Sequence, residues 1–222
     1  ELMENMELMD SADDTSGWTQ EYLQVAIRGI AEVHSIWYGK EAELAQKDWI
    51  IDAPTAENMV EKTRLWEMLG AHSAEEFPEW FDENDLARYR DCLYSLKDWY
   101  SEIDAMPKTL IHNDFNPRNI AFRRLPAAEG QGEKGALTLC AYDWELATIH
   151  LPQHDLAELL VFTLQPDFNP LDVELYIEQH RIELEVLIGK NIDAQQWRRG
   201  FTLSLWDLVV NRVPMYAMAH TF

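Results

Sequence analysis

The hydrophobic period of this chain changes twice along its length, and that change limits the folds open to it. In "TSGWTQEYLQVAIRGIAEVHSIWYG", Leu23, Ile27, Ile30, His34 and Trp37 recur at alternating spacings of four and three, which puts them on one stripe of a helix. Further helices are expected over residues 55–69 and 82–103, with Thr55 and Asp82 as their caps. After Pro107 the helical period stops. "TLIHNDF" and "NIAFRR" are short and apolar, and "ALTLCAYDW" alternates like a strand. The turn-rich "LPAAEGQGEKG" joins the last two, so they read as a hairpin with a long loop. Helices resume at "HDLAELLVFTL", over 171–188 and from about 194, where Asp193 and Gln196 are spaced as a capping box. "FTLSLWDLVV" is apolar on nearly every face, which predicts a central place in the core. The fold class expected is mostly α with a small β-hairpin.

Charge narrows the partners. Against 18 Lys and Arg stand 40 Asp and Glu, a net charge of -22 that repels nucleic acid and anionic membranes and favours a cationic ligand. Nine Trp, eight Tyr and eight Phe leave rings enough for a pocket as well as a core. Cys92 and Cys140 fall in no paired or metal-like spacing, so a reducing, cytoplasmic setting is expected. No apolar run approaches the ~18 residues of a membrane span. "ELMENMELMD" lacks an initiator Met and a basic n-region, so it is not a signal peptide, and a start at Glu1 suggests a chain cut from something longer.

The chemistry concentrates in "IHNDFNPRNIAF". Phosphoryl transfer needs a carboxylate near the attacking hydroxyl and oxygen ligands that place Mg²⁺ on the phosphates. Asp114 offers the base, and Asn119, five residues on, leaves room for the loop to turn so that both side chains face one cavity. Asp143 ends the next strand, in "AYDWELA", and the hairpin brings it towards Asn119. A lone His-x-Asp is weak evidence, whereas this three-part spacing is far more specific.

"HNDFNPRNIAF", "YDWELA" and "HDLAELL" together resemble the catalytic half of the aminoglycoside phosphotransferase and choline kinase family of kinase-like enzymes. "GIAEVHSIW" is similar to a Leu-Ala-x-Leu-His helix of that family. The resemblance is tight from 111 to 160 and loose elsewhere. It implies the C-terminal lobe of a protein-kinase-like fold, with Asp114 as catalytic base, Asn119 and Asp143 as Mg²⁺ ligands, and His112 and Asp155 bracing the loop. ATP is the implied cosubstrate, and the implied partner is a small hydroxyl-bearing acceptor, amine-bearing or choline-like. "ELMENM" resembles the inter-lobe hinge whose backbone holds adenine, at Glu4 and Met6. The organisation expected is a hinge-like lead-in over 1–17 and a helical catalytic and acceptor-binding lobe over 18–222, with the catalytic loop and hairpin at about 108–145.

Two departures accompany the resemblance. Where protein kinases carry a Lys two residues after the base, this chain has Asn116, which leaves Arg118 as the candidate phosphate contact. Lys40, Lys47, Lys62, Lys97 and Lys108 each lack the preceding apolar strand that would make one of them the nucleotide lysine. An N-terminal β lobe of the same protein is therefore expected to be missing from this chain.

Competing readings attach to several residues. "GQGEKG" matches a phosphate-loop string but precedes a strand-like segment rather than a helix, so it reads as a turn. His34 reads as a hydrogen-bonded core residue, and Asp155 as a helix cap if it does not brace the loop. Tyr142, Trp144, Trp197, Phe201 and Trp206 read as packing. Two other functions are open: a non-catalytic binding or regulatory module that kept the lobe, and a metal-dependent hydrolase using His112 and Asp114. The second lacks another His at ligand spacing.

Overall fold

Thr19 accepts a hydrogen bond from the Tyr22 N–H and so starts the first helix, α1 (Gln20–Trp37), after a three-residue strand β1 (Met6–Leu8). The computed structural model that gives these elements describes residues 6–8, 17–50, 53–125 and 136–221. Leu23, Ile27, Ile30 and His34 of the stripe are buried, with Ala26 and Ala31 beside them, while Trp37 at the helix end is half-buried. There follow α2 (Glu41–Leu44), α3 (Ala56–Glu61), α4 (Thr63–Glu76), α5 (Glu83–Tyr94) and α6 (Leu96–Ala105). Thr55 and Asp82 cap α3 and α5.

The helices expected over 55–69 and 82–103 are each two. The break at Ser95 has a local cause: its hydroxyl donates to the carbonyls of Asp91 and Cys92 and competes with the helical pattern there. At Lys62 the neighbouring Thr63 hydroxyl donates to the Val60 carbonyl in the same way.

Four further strands are β2 (Thr109–Ile111), β3 (Ile120–Arg124), β4 (Leu137–Ala141) and β5 (Thr148–His150). The hairpin is present as an antiparallel β3–β4 pair with Ile120 opposite Ala141, and β1 adds to the other edge of β3. β2 pairs antiparallel with β5. The chain then forms α7 (Gln153–Thr163), α8 (Pro170–Ile188), α9 (Ala194–Asp207), a π turn (Leu208–Arg212) and α10 (Val213–His220). Asp193 accepts from the Gln196 N–H and starts α9. The described residues are thus mostly helical, with two small antiparallel sheets, β1-β3-β4 and β2-β5, as the sequence leads one to expect of the fold class. Among the described residues no helix is long and apolar enough to cross a membrane.

Two apolar clusters hold these elements together. One joins α1, β3, α7, α8 and α9 through Ile27, Ile30, Phe122, Leu156, Leu184 and Phe201. The other joins α3 to α6 with Leu151, Leu203 and Val210. Residues of α9 enter both clusters, which accounts for its apolar faces. Trp197 and Phe201 are buried in the first, while Trp206 packs half-buried on the second. Gly29 lets α1 lie against β4: a Cβ there would fall 2.5 Å from the Cβ of Leu139. The hairpin is thereby pressed onto the helical layer, and the loop before it is fixed at one end.

Candidate functional site

Loop 112–119 runs from β2 to β3, and its backbone is held at almost every step. Asn113 takes a left-handed conformation (φ 61°), where a short polar side chain is tolerated. Its own N–H and that of His112 donate to the two oxygens of Asp155, at 2.9 and 2.8 Å. The Phe115 N–H donates to Glu158, at 2.9 Å. Arg212 donates to the Asn113 carbonyl. Phe115 itself is fully buried in the first apolar cluster, an anchor that contributes about 2–3 kcal/mol. Asp155 and Glu158 lie three residues apart on α7, so one helix face supplies both carboxylates.

Within the loop, Asn116 Nδ2 donates to Asp114 Oδ1 and Asn119 Nδ2 to Asp114 Oδ2, each at 2.7 Å. Asn119 Nδ2 also lies 2.9 Å from the Asp114 carbonyl. The Asp114 side chain is therefore fixed in direction, while each carboxylate oxygen keeps acceptor capacity. The Asn119 amide hydrogens are engaged, which turns its Oδ1 away from Asp114. Asn119 sits opposite Tyr142, whose N–H donates to its carbonyl at 3.0 Å, so Asp143 follows at the same end of the hairpin. Asp143 is exposed and left-handed (φ 63°), and its carboxylate makes no hydrogen bond or ion pair among the described residues. An amide oxygen and an uncommitted carboxylate are hard donors of the kind Mg²⁺ takes.

His112 is buried, its Nε2 lies 2.8 Å from the Tyr142 carbonyl, and its ring packs on Trp144 at 4.5 Å between centroids. Trp144 is thus packing, whereas Tyr142 is exposed and its hydroxyl donates to the Arg118 carbonyl. Arg118 is exposed, with its Nε 3.4 Å from Asn116 Oδ1. Met6 opens β1, opposite Arg123. Glu4 and the "GQGEKG" segment lie outside the described residues.

Asp155 does not cap its helix. Pro152 stands at the cap position before α7 and offers no side-chain cap, and the Asp155 oxygens are spent on the loop and on His34. Burial alone would raise its pKa, but the His34 hydrogen bond and charge, with His112 behind them, outweigh burial and hold it at about 2. His34 is a hydrogen-bonded core residue, 3.0 Å from Asp155 Oδ2 and 3.1 Å from His180 Nε2. Glu158 has the opposite balance. Burial pushes it up to about 7, and Arg212 offsets only part of that.

Beside the loop lies a cavity of about 280 Å³ whose lining includes Trp66, Asn113, His150, Asp207, Asn211 and Arg212. The π turn after α9 presents the last two of these, a wider turn of the kind common at functional sites. Glu158, Arg212 and Asp207 escaped the sequence reading. For Glu158 a signal existed, since an acid three residues from Asp155, set among Leu156, Ala157, Leu159 and Leu160, has to meet a buried donor. For Asp207 the same signal existed, an acid within the apolar run that ends α9; for Arg212 there was none, because the π turn leaves no period. A larger apolar groove of about 550 Å³, lined by Leu160, Leu164, Phe168 and Phe201, includes no loop residue.

No curated protein and no solved structure matches the chain. The model of the phosphotransferase enzyme family matches it over residues 5–186, a span that takes in α1, the whole of loop 112–119, Asp143 and both bracing carboxylates. The chain belongs to the phosphotransferase enzyme family.

Proposed function

We propose that the chain supplies the catalytic centre for transfer of the ATP γ-phosphate to a hydroxyl of a small acceptor, with Asp114 as general base. The observation that carries this is the fixed Asp114 carboxylate, with Asn119 and Asp143 gathered at the end of the hairpin behind it. Held in one direction by two amides, Asp114 keeps lone pairs with which to orient and deprotonate an entering hydroxyl. Asn119 Oδ1 and the Asp143 carboxylate would hold Mg²⁺, and Arg118, exposed on the loop, would meet phosphate. Mg²⁺ held there would offset the negative charge that develops on the phosphates during transfer. His112 and Asp155 act through the loop, by fixing its backbone.

The acceptor enters by the cavity lined by Asn113, beside the base. An amine-bearing acceptor suits a chain of net charge -22, which concentrates cations around it, and the Trp66 ring in the cavity wall offers a cation–π face. Among the described residues no lysine lies on a strand, so the α- and β-phosphates lack the usual cation. We infer that this chain alone turns over negligibly and works with an N-terminal lobe of the same protein in a reducing, cytoplasmic setting.

The test is acceptor-dependent ADP release with Mg²⁺ and a panel of aminoglycosides, choline and sugars, by this chain and by the natural-length gene product. Release by the longer product with one acceptor is the expected result, and it names the substrate. Measured Mg·ATP binding with no release from any acceptor would favour the non-catalytic module instead.

A further inference from the structure

We propose that His150, His154 and Asp207 form a binding site for a divalent first-row transition ion of the zinc class, in the floor of the cavity beside loop 112–119. The site is separate from the Asn119 and Asp143 pair and does not rest on the phosphotransfer reading. β5 ends at His150, α7 carries His154 in its first turn, and Asp207 is the last residue of α9. All three are buried, with exposures of 2%, 1% and 2%. One donor atom from each lies within 4.8 Å of the other two.

Hydrogen bonding does not explain the cluster. Both nitrogens of His154 and Nδ1 of His150 have no partner among the described residues. Asp207 Oδ2 lies 3.7 Å from His150 Nε2 and 3.8 Å from His154 Nδ1, too far for hydrogen bonds. Donors ~2.0–2.1 Å from a tetrahedral zinc stand ~3.3 Å apart, so small side-chain rotations bring the contacts into ligand range. Among the described residues the one competing contact, Tyr100 hydroxyl to His150 Nε2, is long at 3.3 Å.

The surroundings suit a ligand set. Asn211 Nδ2 donates to Asp207 Oδ1 at 2.8 Å, which fixes the carboxylate and leaves Oδ2 towards the two imidazoles. Two neutral imidazoles and one carboxylate are a borderline-soft set that favours zinc over Mg²⁺. His150 and Asp207 also line the cavity, so a fourth position would open onto it and accept an oxygen or nitrogen of a small molecule.

The test is a calorimetric titration of the chelator-stripped chain with zinc in excess Mg²⁺, followed by X-ray absorption of the bound zinc. The expected result is one equivalent, with two imidazole nitrogens at ~2.0–2.1 Å. His154→Gln should weaken binding by ~10²-fold or more, and Asp143→Asn should leave it unchanged. Zinc that fails to bind at micromolar concentration, or binds without two imidazoles, overturns the proposal. So does equal affinity in a folded His154→Gln. If that variant does not fold, the ligand count in the unaltered chain decides alone. No readout involves phosphoryl transfer, so this site and the proposed activity stand or fall separately.

Discussion

His154 and Asp155 are neighbours in the first turn of α7, equally buried, and their surroundings are opposite. Asp155 receives two backbone N–H groups of loop 112–119 and lies 3.0 Å from His34. His154 has no hydrogen-bond partner at either nitrogen among the described residues. Burial imposes the same kind of cost on both, because water is lost by each. In the first case the cost is offset by contacts that fix a loop. In the second it is not offset within the described residues, which is the physical mark of a position suited to a ligand. One helix end thus carries a finished brace and an unfinished polar site side by side.

The largest break in this comparison is expected at the brace. Asp155→Ala strands two loop N–H groups and the His34 imidazole in the interior, and should cost about 3–5 kcal/mol in urea unfolding. A loss under 1 kcal/mol would mean that the loop is held by other contacts.

Glu158 tests the second brace through pH. Its folded pKa, about 7, lies above the ordinary carboxylate value, so between about pH 4.5 and 7 the folded state binds more protons than the unfolded state. Its contribution is therefore most favourable at the acid end of that window and is lost as pH rises through 7. The groups that set this balance are Arg212, Asp155 and Asp114, with the Tyr216 hydroxyl 3.3 Å away. Relative to Glu158→Gln, the unaltered protein should lose on the order of 3 kcal/mol from pH 4.5 to pH 8. Parallel pH curves for the two proteins would show that Glu158 is charged when folded.

The smallest effect should come from the unfinished site. His154→Leu removes nitrogens that make no hydrogen bond among the described residues, so in metal-free buffer its stability should stay within about 1 kcal/mol of the parent. Thermal melts with zinc should then separate the two, raising only the parent. A large loss without zinc would reveal a hidden partner for His154.

Much of this was legible because it is local. The α1 stripe, the caps at Thr55, Asp82 and Asp193, and the β3–β4 hairpin all follow from period and turn chemistry within a few residues. The spacing of Asp114, Asn119 and Asp143 was visible for the same reason, since a hairpin converts sequence distance into proximity. Contacts across the chain were not. His34 meets Asp155 across 121 positions, and Glu158 meets Phe115 across 43. β5, at three residues, is too short to show a period, and its pairing with β2 is what brings His150 towards Asp207. The π turn follows no standard spacing, so nothing in the sequence placed Asn211 and Arg212 beside the loop.

The most direct test of the account is single-turnover phosphoryl transfer from Mg·ATP by the natural-length gene product, with Asp114→Asn beside it and the acceptor that supports ADP release. Asn keeps the shape of the side chain but cannot take a proton. The account predicts unchanged Mg·ATP binding and a rate lower by ~10²–10⁴-fold, the loss expected of a missing general base. Transfer at the unaltered rate would contradict it, because the carboxylate that the loop is braced to hold would then take no part in the reaction.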